Sequence, residues 1–257
     1  MQKLPVSLVI ITLNEEKNIE RCIRSVPFAA EIVVLDSGSQ DKTIDIARRL
    51  GARVFVESWR GFSKQKTRAT AIATQDWVLS LDADEALSPE AQDEMVALFS
   101  ASMTADAYAL PRLCYYLGRW MHHGGMYPDY QTRLYNRTKS SWLDAPVHEH
   151  IVADKIIKLK WPIFHWPCDN IAQHVETVNR YSSLRAEDFK EKKKQFFSLK
   201  MLAKAISKFF EFYFIKQGFR DGVPGLIAAV VTAFSTFLRW AKLYEIDAPL
   251  NKKKPRT

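Results

Sequence analysis

Cysteine is scarce in this chain of 257 residues: Cys22, Cys114 and Cys168 lie far apart and form no CxxC pair. An odd, dispersed set of thiols speaks against a disulfide framework and a cysteine zinc site, and for a reducing compartment. Glycine is equally thin, at 9 residues. Neither GxGxxG nor a Walker A loop occurs, which argues against nicotinamide-dependent dehydrogenases and P-loop NTPases. HExxH is also missing, so His148, His150 and His165 with Glu149 make a poor zinc hydrolase. There is no internal repeat. Near the C-terminus, Gly225 to Leu238 holds 14 uncharged, mostly apolar residues, short of the ~20 that span a bilayer. Val6 to Leu13 is apolar, but the acidic Asn14-Glu15-Glu16 follows at once and no small-residue cleavage site is present. The segment therefore reads as a buried strand rather than a secretion signal.

What remains is ordinary globular composition, 47% hydrophobic and 26% charged, with the charge unevenly placed. Residues 185–257 hold 16 basic and 7 acidic side chains, a net +9, while the first 184 residues sum to −1. A basic last third suits an anionic surface such as a phospholipid leaflet or nucleic acid, or a solvated lysine-rich helix.

The first half alternates β-branched runs with capped helical patterns. Strands are expected at 6–12, 31–36, 53–56, 77–82 and 107–112. Helices are expected after Asn14, after Ser39 or Asp41, over 64–73, and from Ser88-Pro89 to about 99. Strand–helix alternation at this spacing implies right-handed crossovers and a mainly parallel, Rossmann-like α/β sheet with flanking helices. Ligands of such sheets sit at the carboxyl ends of the strands. Thr12 and Asn14, Asp36 and Ser37, and Asp82 and Asp84 all fall there. Asp82 and Asp84, just past a strand, can converge on a hard cation such as Mg²⁺ or Mn²⁺, or form a solvated turn. Asp36 can bond a base or ribose, or cap its turn. Residues 113–169 are aromatic with short strands, and His122 to Met126 read as a mobile loop. Asn170 starts a helix to about 194, followed by helices over 198–217 and 224–244. In the second of these, Phe and Leu interleave with Lys200, Lys204, Lys208 and Lys216, the composition of an in-plane amphipathic helix. Packing of that helix on the rest of the chain is the competing reading.

Val6 to Glu16, then Val34 to Thr43, resemble family 2 inverting glycosyltransferases. Trp59 to Lys66 and Asp76 to Glu85 narrow the resemblance to the lipopolysaccharide core β-1,4-glucosyltransferase group, nearly end to end. The resemblance implies a GT-A fold over residues 1–169, with a nucleotide-sugar half (1–112) and an acceptor half (113–169). Residues 170–257 follow as a basic, membrane-associating helical region. It further implies a UDP-sugar donor and a divalent ion. Thr12, Asn14, Glu15 and Asp36 would line the uridine pocket, Lys66 would lie near the donor, and Asp82 with Asp84 would form the DxD pair. Glu149 resembles the family's catalytic base, with Asp144 as its rival. Gln131 and Arg133 can contact acceptor or diphosphate, or belong to a surface strand in which Arg133 makes a cation–π contact or an ion pair. His165 can reach the metal or simply pack. The implied acceptor is a lipid-linked oligosaccharide at the cytoplasmic face of the bacterial inner membrane. A polyprenyl-phosphate sugar transferase is the alternative on the same fold. A nucleic-acid module finds no motif to support it.

Overall fold

The computed structural model describes residues 2–101, 103–143, 150–191 and 198–247. Its core is a sheet whose strand order is β3-β2-β1-β4-β8-β6-β12-β5. β1 (Leu4–Thr12), β2 (Ala29–Asp36), β3 (Arg53–Val56) and β4 (Trp77–Asp82) run parallel. The β-branched runs of β1 and β2 are buried on both faces, which is why they read as continuous rather than alternating. Three helices, α1 (Ile19–Arg24), α2 (Thr43–Arg49) and α3 (Phe62–Ile72), make the crossovers. β5 (Glu85–Leu87) follows β4, and α4 (Pro89–Ser100) begins as its sequence demands, with Ser88 Oγ accepting from Ala91 N at 3.1 Å.

Beyond β4 the sheet turns antiparallel. β6 (Ala107–Tyr116) and β8 (Asp129–Asn136) pair in opposite senses, and β8 lies antiparallel to β4. The short strands β7 (Arg119–Trp120) and β11 (Ile156–Lys158) join β6, while β12 (Ile163–His165) pairs antiparallel with β5. A separate two-stranded ribbon unites β9 (Ser141–Trp142) and β10 (Ile151–Val152). The result is a mixed sheet with flanking helices, the GT-A architecture implied by the resemblance. One hydrophobic cluster gathers Leu8, Ile10, Ile19, Leu79 and Met95, and a second gathers Val9, Leu35, Ala69, Tyr135 and Trp142.

The chain divides into two compact units, Met1–Leu113 with Pro128–Trp166, and Cys114–Tyr127 with Pro167–Thr257. Residues 114–127 thus group with the C-terminal helices. In the second unit α5 (Ile171–Glu191), α6 (Ser198–Phe210), a π-helical segment (Glu211–Ile215), a 3-10 turn (Gly218–Asp221) and α7 (Gly222–Asp247) follow in order. The loop expected to be mobile is tied down there. His123 N donates to Asp221 Oδ2 at 2.8 Å, and Gly124 N donates to Lys216 O at 2.8 Å.

Candidate active site

The residues singled out at the strand ends meet on the first unit. After β1 the chain turns through Asn14, which adopts a left-handed conformation (φ 56°) that asparagine tolerates. Its side chain does not cap α1, as the sequence had suggested. Instead Asn14 Oδ1 accepts from Gln40 N at 2.8 Å, and Asn14 N donates to Ser39 Oγ at 2.8 Å. Glu15 N donates to Thr43 Oγ1 at 2.7 Å. The loops after β1 and β2 are therefore laced together. Asp36 is wholly buried beneath them, and its Oδ1 accepts from Gly38 N at 2.8 Å and Ser39 N at 2.7 Å. Its second oxygen accepts from the Ser39 hydroxyl. Thr12 lies beside this turn with a buried hydroxyl that has no hydrogen-bond partner among the described residues, the kind of orphaned group that a ligand can satisfy.

At the end of β4, Asp82 accepts from two buried cations. Lys66 Nζ, on α3, lies 2.9 Å from Oδ1, and an Arg133 guanidinium nitrogen lies 2.7 Å from Oδ2. Burial alone would push the Asp82 carboxyl up; Arg133 and Lys66 overcome it and hold the group well below the usual carboxylate range. The same Arg133 nitrogen reaches Glu85 Oε1 at 2.7 Å, and Glu85 has no exposed surface. Burial opposes the charge on Arg133, but Asp82 and Glu85 outweigh it and raise its pKa above the ordinary guanidinium value. Arg112 extends the cluster, 3.5 Å from Glu85 and 2.6 Å from Asp129. Three cations thus face three carboxylates.

Arg133 owes its position to a slip in the sheet. Tyr108 pairs with Leu134 while Ala109 pairs with Thr132, so Arg133 is the extra residue of a β-bulge on β8. It makes the ion pair that the surface-strand reading allowed, but as a buried residue rather than on a surface. Gln131, two residues earlier, instead donates to Asp129 Oδ1 at 2.9 Å. Glu85 and Arg112 were not picked out as site residues from the sequence. Glu85 had one signal, its place directly after Asp84.

Asp84 and His165 form a second pair. His165 sits at the end of β12 opposite Glu85, and its Nε2 lies 3.2 Å from Asp84 Oδ2. A carboxylate and an imidazole converging on a strand end fit Mg²⁺ or Mn²⁺, which take oxygen ligands readily and tolerate one nitrogen. Among the described residues no group of three or more His, Cys, Asp or Glu side chains converges as a metal site. Glu149 and its rival Asp144 both lie outside the described residues.

The model of glycosyl transferase family 2 matches residues 7–160. An uncharacterized glycosyltransferase of Rickettsia bellii is 36% identical over 96% of this chain and 88% of its own. The lipopolysaccharide core biosynthesis glycosyltransferase LpsC of Rhizobium meliloti is 31% identical over 96% of this chain and 94% of its own. Among solved structures, glucosyl-3-phosphoglycerate synthase of Mycobacterium tuberculosis, in complex with Mn²⁺, UDP and glucosyl-3-phosphoglycerate, is 27% identical. That similarity covers 42% of this chain and 43% of the synthase, at a TM-score of 0.37. With the family model over more than half its length and relatives matched almost end to end, this chain belongs to glycosyl transferase family 2 and is a glycosyltransferase.

Proposed function

We propose that the chain moves a hexose, glucose in our reading, from a UDP-sugar to an inner-core heptose of lipopolysaccharide, with inversion at the anomeric carbon. The observation that carries the reading is the meeting of Asp84 and His165 (3.2 Å) next to the Asp82–Lys66–Arg133 cluster, at the carboxyl end of β4. Thr12, Asn14, Glu15 and the Asp36 turn would form the uridine pocket, with the orphaned Thr12 hydroxyl as one contact. Lys66 and Arg133 supply positive charge where a diphosphate would lie, while Asp82 fixes both cations in place. Asp84 and His165 would hold Mg²⁺ or Mn²⁺, which when bound neutralises charge developing on the leaving diphosphate. Gln131 would face the acceptor or the diphosphate. Glu149 would take the proton of the acceptor hydroxyl, a role that usually contributes 10²–10⁴-fold. The likeness to LpsC supports a lipopolysaccharide core acceptor. A lipid-linked acceptor in turn supports a peripheral location on the cytoplasmic face of the inner membrane.

Calorimetric titration with UDP tests the donor half of this reading. Binding should require Mn²⁺ or Mg²⁺ and disappear in Asp84→Ala, with the far-UV spectrum unchanged. Equal UDP affinity of that variant with EDTA present would remove the metal role.

A further inference from the structure

The C-terminal helices carry two rows of apolar side chains that are left exposed among the described residues. On α6 and the π-helical segment after it, Leu199, Leu202, Ile206, Phe210 and Phe214 recur every three or four residues, and each is between 50% and 80% exposed. That spacing is one face of a helix. On α7 the same spacing recurs in Val223, Leu226, Val230 and Phe234, between 38% and 69% exposed. α6 and α7 pack against each other, as Lys200 Nζ over the Trp240 ring at 5.6 Å illustrates. Their buried sides are thus satisfied while these rows remain open. Single exposed apolar residues are ordinary; rows of four and five on packed neighbours mark a surface built to meet something apolar.

We infer that this surface lies flat in the outer part of an anionic phospholipid leaflet, α6 and α7 together forming a monotopic anchor. Charge selects the occupant. Lys200 and Lys204 sit on α6 roughly 100–140° around from its apolar row, where a long stem lets an ammonium reach a headgroup phosphate. Across residues 198–247 seven Lys and Arg stand against four Asp and Glu, a net +3. A second copy of this chain would bring that charge against itself. A fully spanning α7 is the other geometry, since Gly218–Ile246 is long and apolar enough to cross, at mean hydropathy 1.5. Its neighbours oppose that. α7 packs along α5 and α6, and Lys242 donates to Asn179 and Ser182 of α5. Crossing would draw the charges of α5 and α6 into hydrocarbon, where each is strongly unfavourable. The inference deepens the reading of a lipid-linked acceptor, on which its biological sense rests.

Co-sedimentation of the full chain with preformed phosphatidylglycerol/phosphatidylcholine vesicles, free of glycolipid and nucleotide, tests it separately from catalysis. The wild type should bind, more weakly as phosphatidylglycerol or low salt is withdrawn, and should be released on dilution. Ile206→Ser with Phe210→Ser, both at exposed positions, should lower partitioning by about tenfold or more while UDP binding is kept. Equal vesicle binding by that double variant overturns the proposal. So does light scattering that shows a wild-type dimer made monomeric by the same changes, with no vesicle binding in either form. Protein that cannot be released from the vesicles would favour a spanning helix and would equally overturn it.

Discussion

Glu85 has no exposed surface, yet two guanidinium groups and the backbone N–H of Asp82 depend on it. Removing one partner from a buried ion pair leaves the other charge unmatched and typically costs about 3–5 kcal/mol. Glu85→Gln should therefore lower the unfolding free energy by roughly that amount in urea titrations. A change near zero would mean that solvent reaches the cluster. His174, in the other unit, makes a pH prediction. It accepts or donates at 2.8 Å from the Tyr116 hydroxyl, and burial lowers its pKa. The unfolded imidazole titrates near 6.5, so on acidification the unfolded chain takes up a proton before the folded one. Stability contributed by neutral His174 is present above about pH 6.5 and is lost as pH falls toward the depressed folded value. The unfolding midpoint should drop between about pH 7.5 and about pH 5, and His174→Gln should shrink that drop; an unchanged slope would assign it elsewhere. At this scale Asp82 and Asp84 stood out in the sequence as an acidic pair at a strand end, whereas Lys66, on α3, was marked only by the family resemblance. The part played by Glu85 was not, because burial and pairing across 48 residues leave no local pattern. Nor could a sequence show that Arg133 would be the bulged residue of β8.

Among the elements, the long ones were readable and the short ones were not. β1, β2 and β4 announce themselves by β-branched runs, and α4 by Ser88-Pro89. Strands of two or three residues such as β5, β7 and β12 hold no full period, and their pairing is decided by long-range contacts. The helix expected over 198–217 is instead interrupted. Its end widens into a π-helical segment and the chain reverses through Gly218–Asp221 before α7 begins. Glycine makes that reversal feasible: a Cβ on Gly225 would lie 2.0 Å from the Gly218 carbonyl oxygen, and one on Gly218 would lie 2.7 Å from that of Phe212. Gly225→Ala should thus force backbone apart at the start of α7, costing about 1–3 kcal/mol or more. Thermal unfolding of the variant checks it, and an unchanged midpoint would show that the turn has room to give. The anchoring of the 122–126 loop was not visible in the sequence, because it depends on distant residues. Its partners, Lys216 and Asp221, lie some 90 to 100 residues away.

For the molecule as a whole, the residues we propose for the donor side all belong to the first unit, whereas the exposed apolar rows belong to the second. Fold class and family were legible because the strand-end motifs occur together and in order; the donor sugar and the acceptor were not, because few contacts select them. The most direct test of the central claim is transfer itself. Purified protein would be incubated with Mn²⁺, UDP-glucose and a heptose-terminated lipopolysaccharide core, and the product read by mass spectrometry and anomeric NMR couplings. The account predicts a gain of one hexose, β-linked to heptose, reduced about 10²–10⁴-fold in Glu149→Gln. A product of retained α configuration, or transfer to polyprenyl phosphate with none to the core, would contradict it.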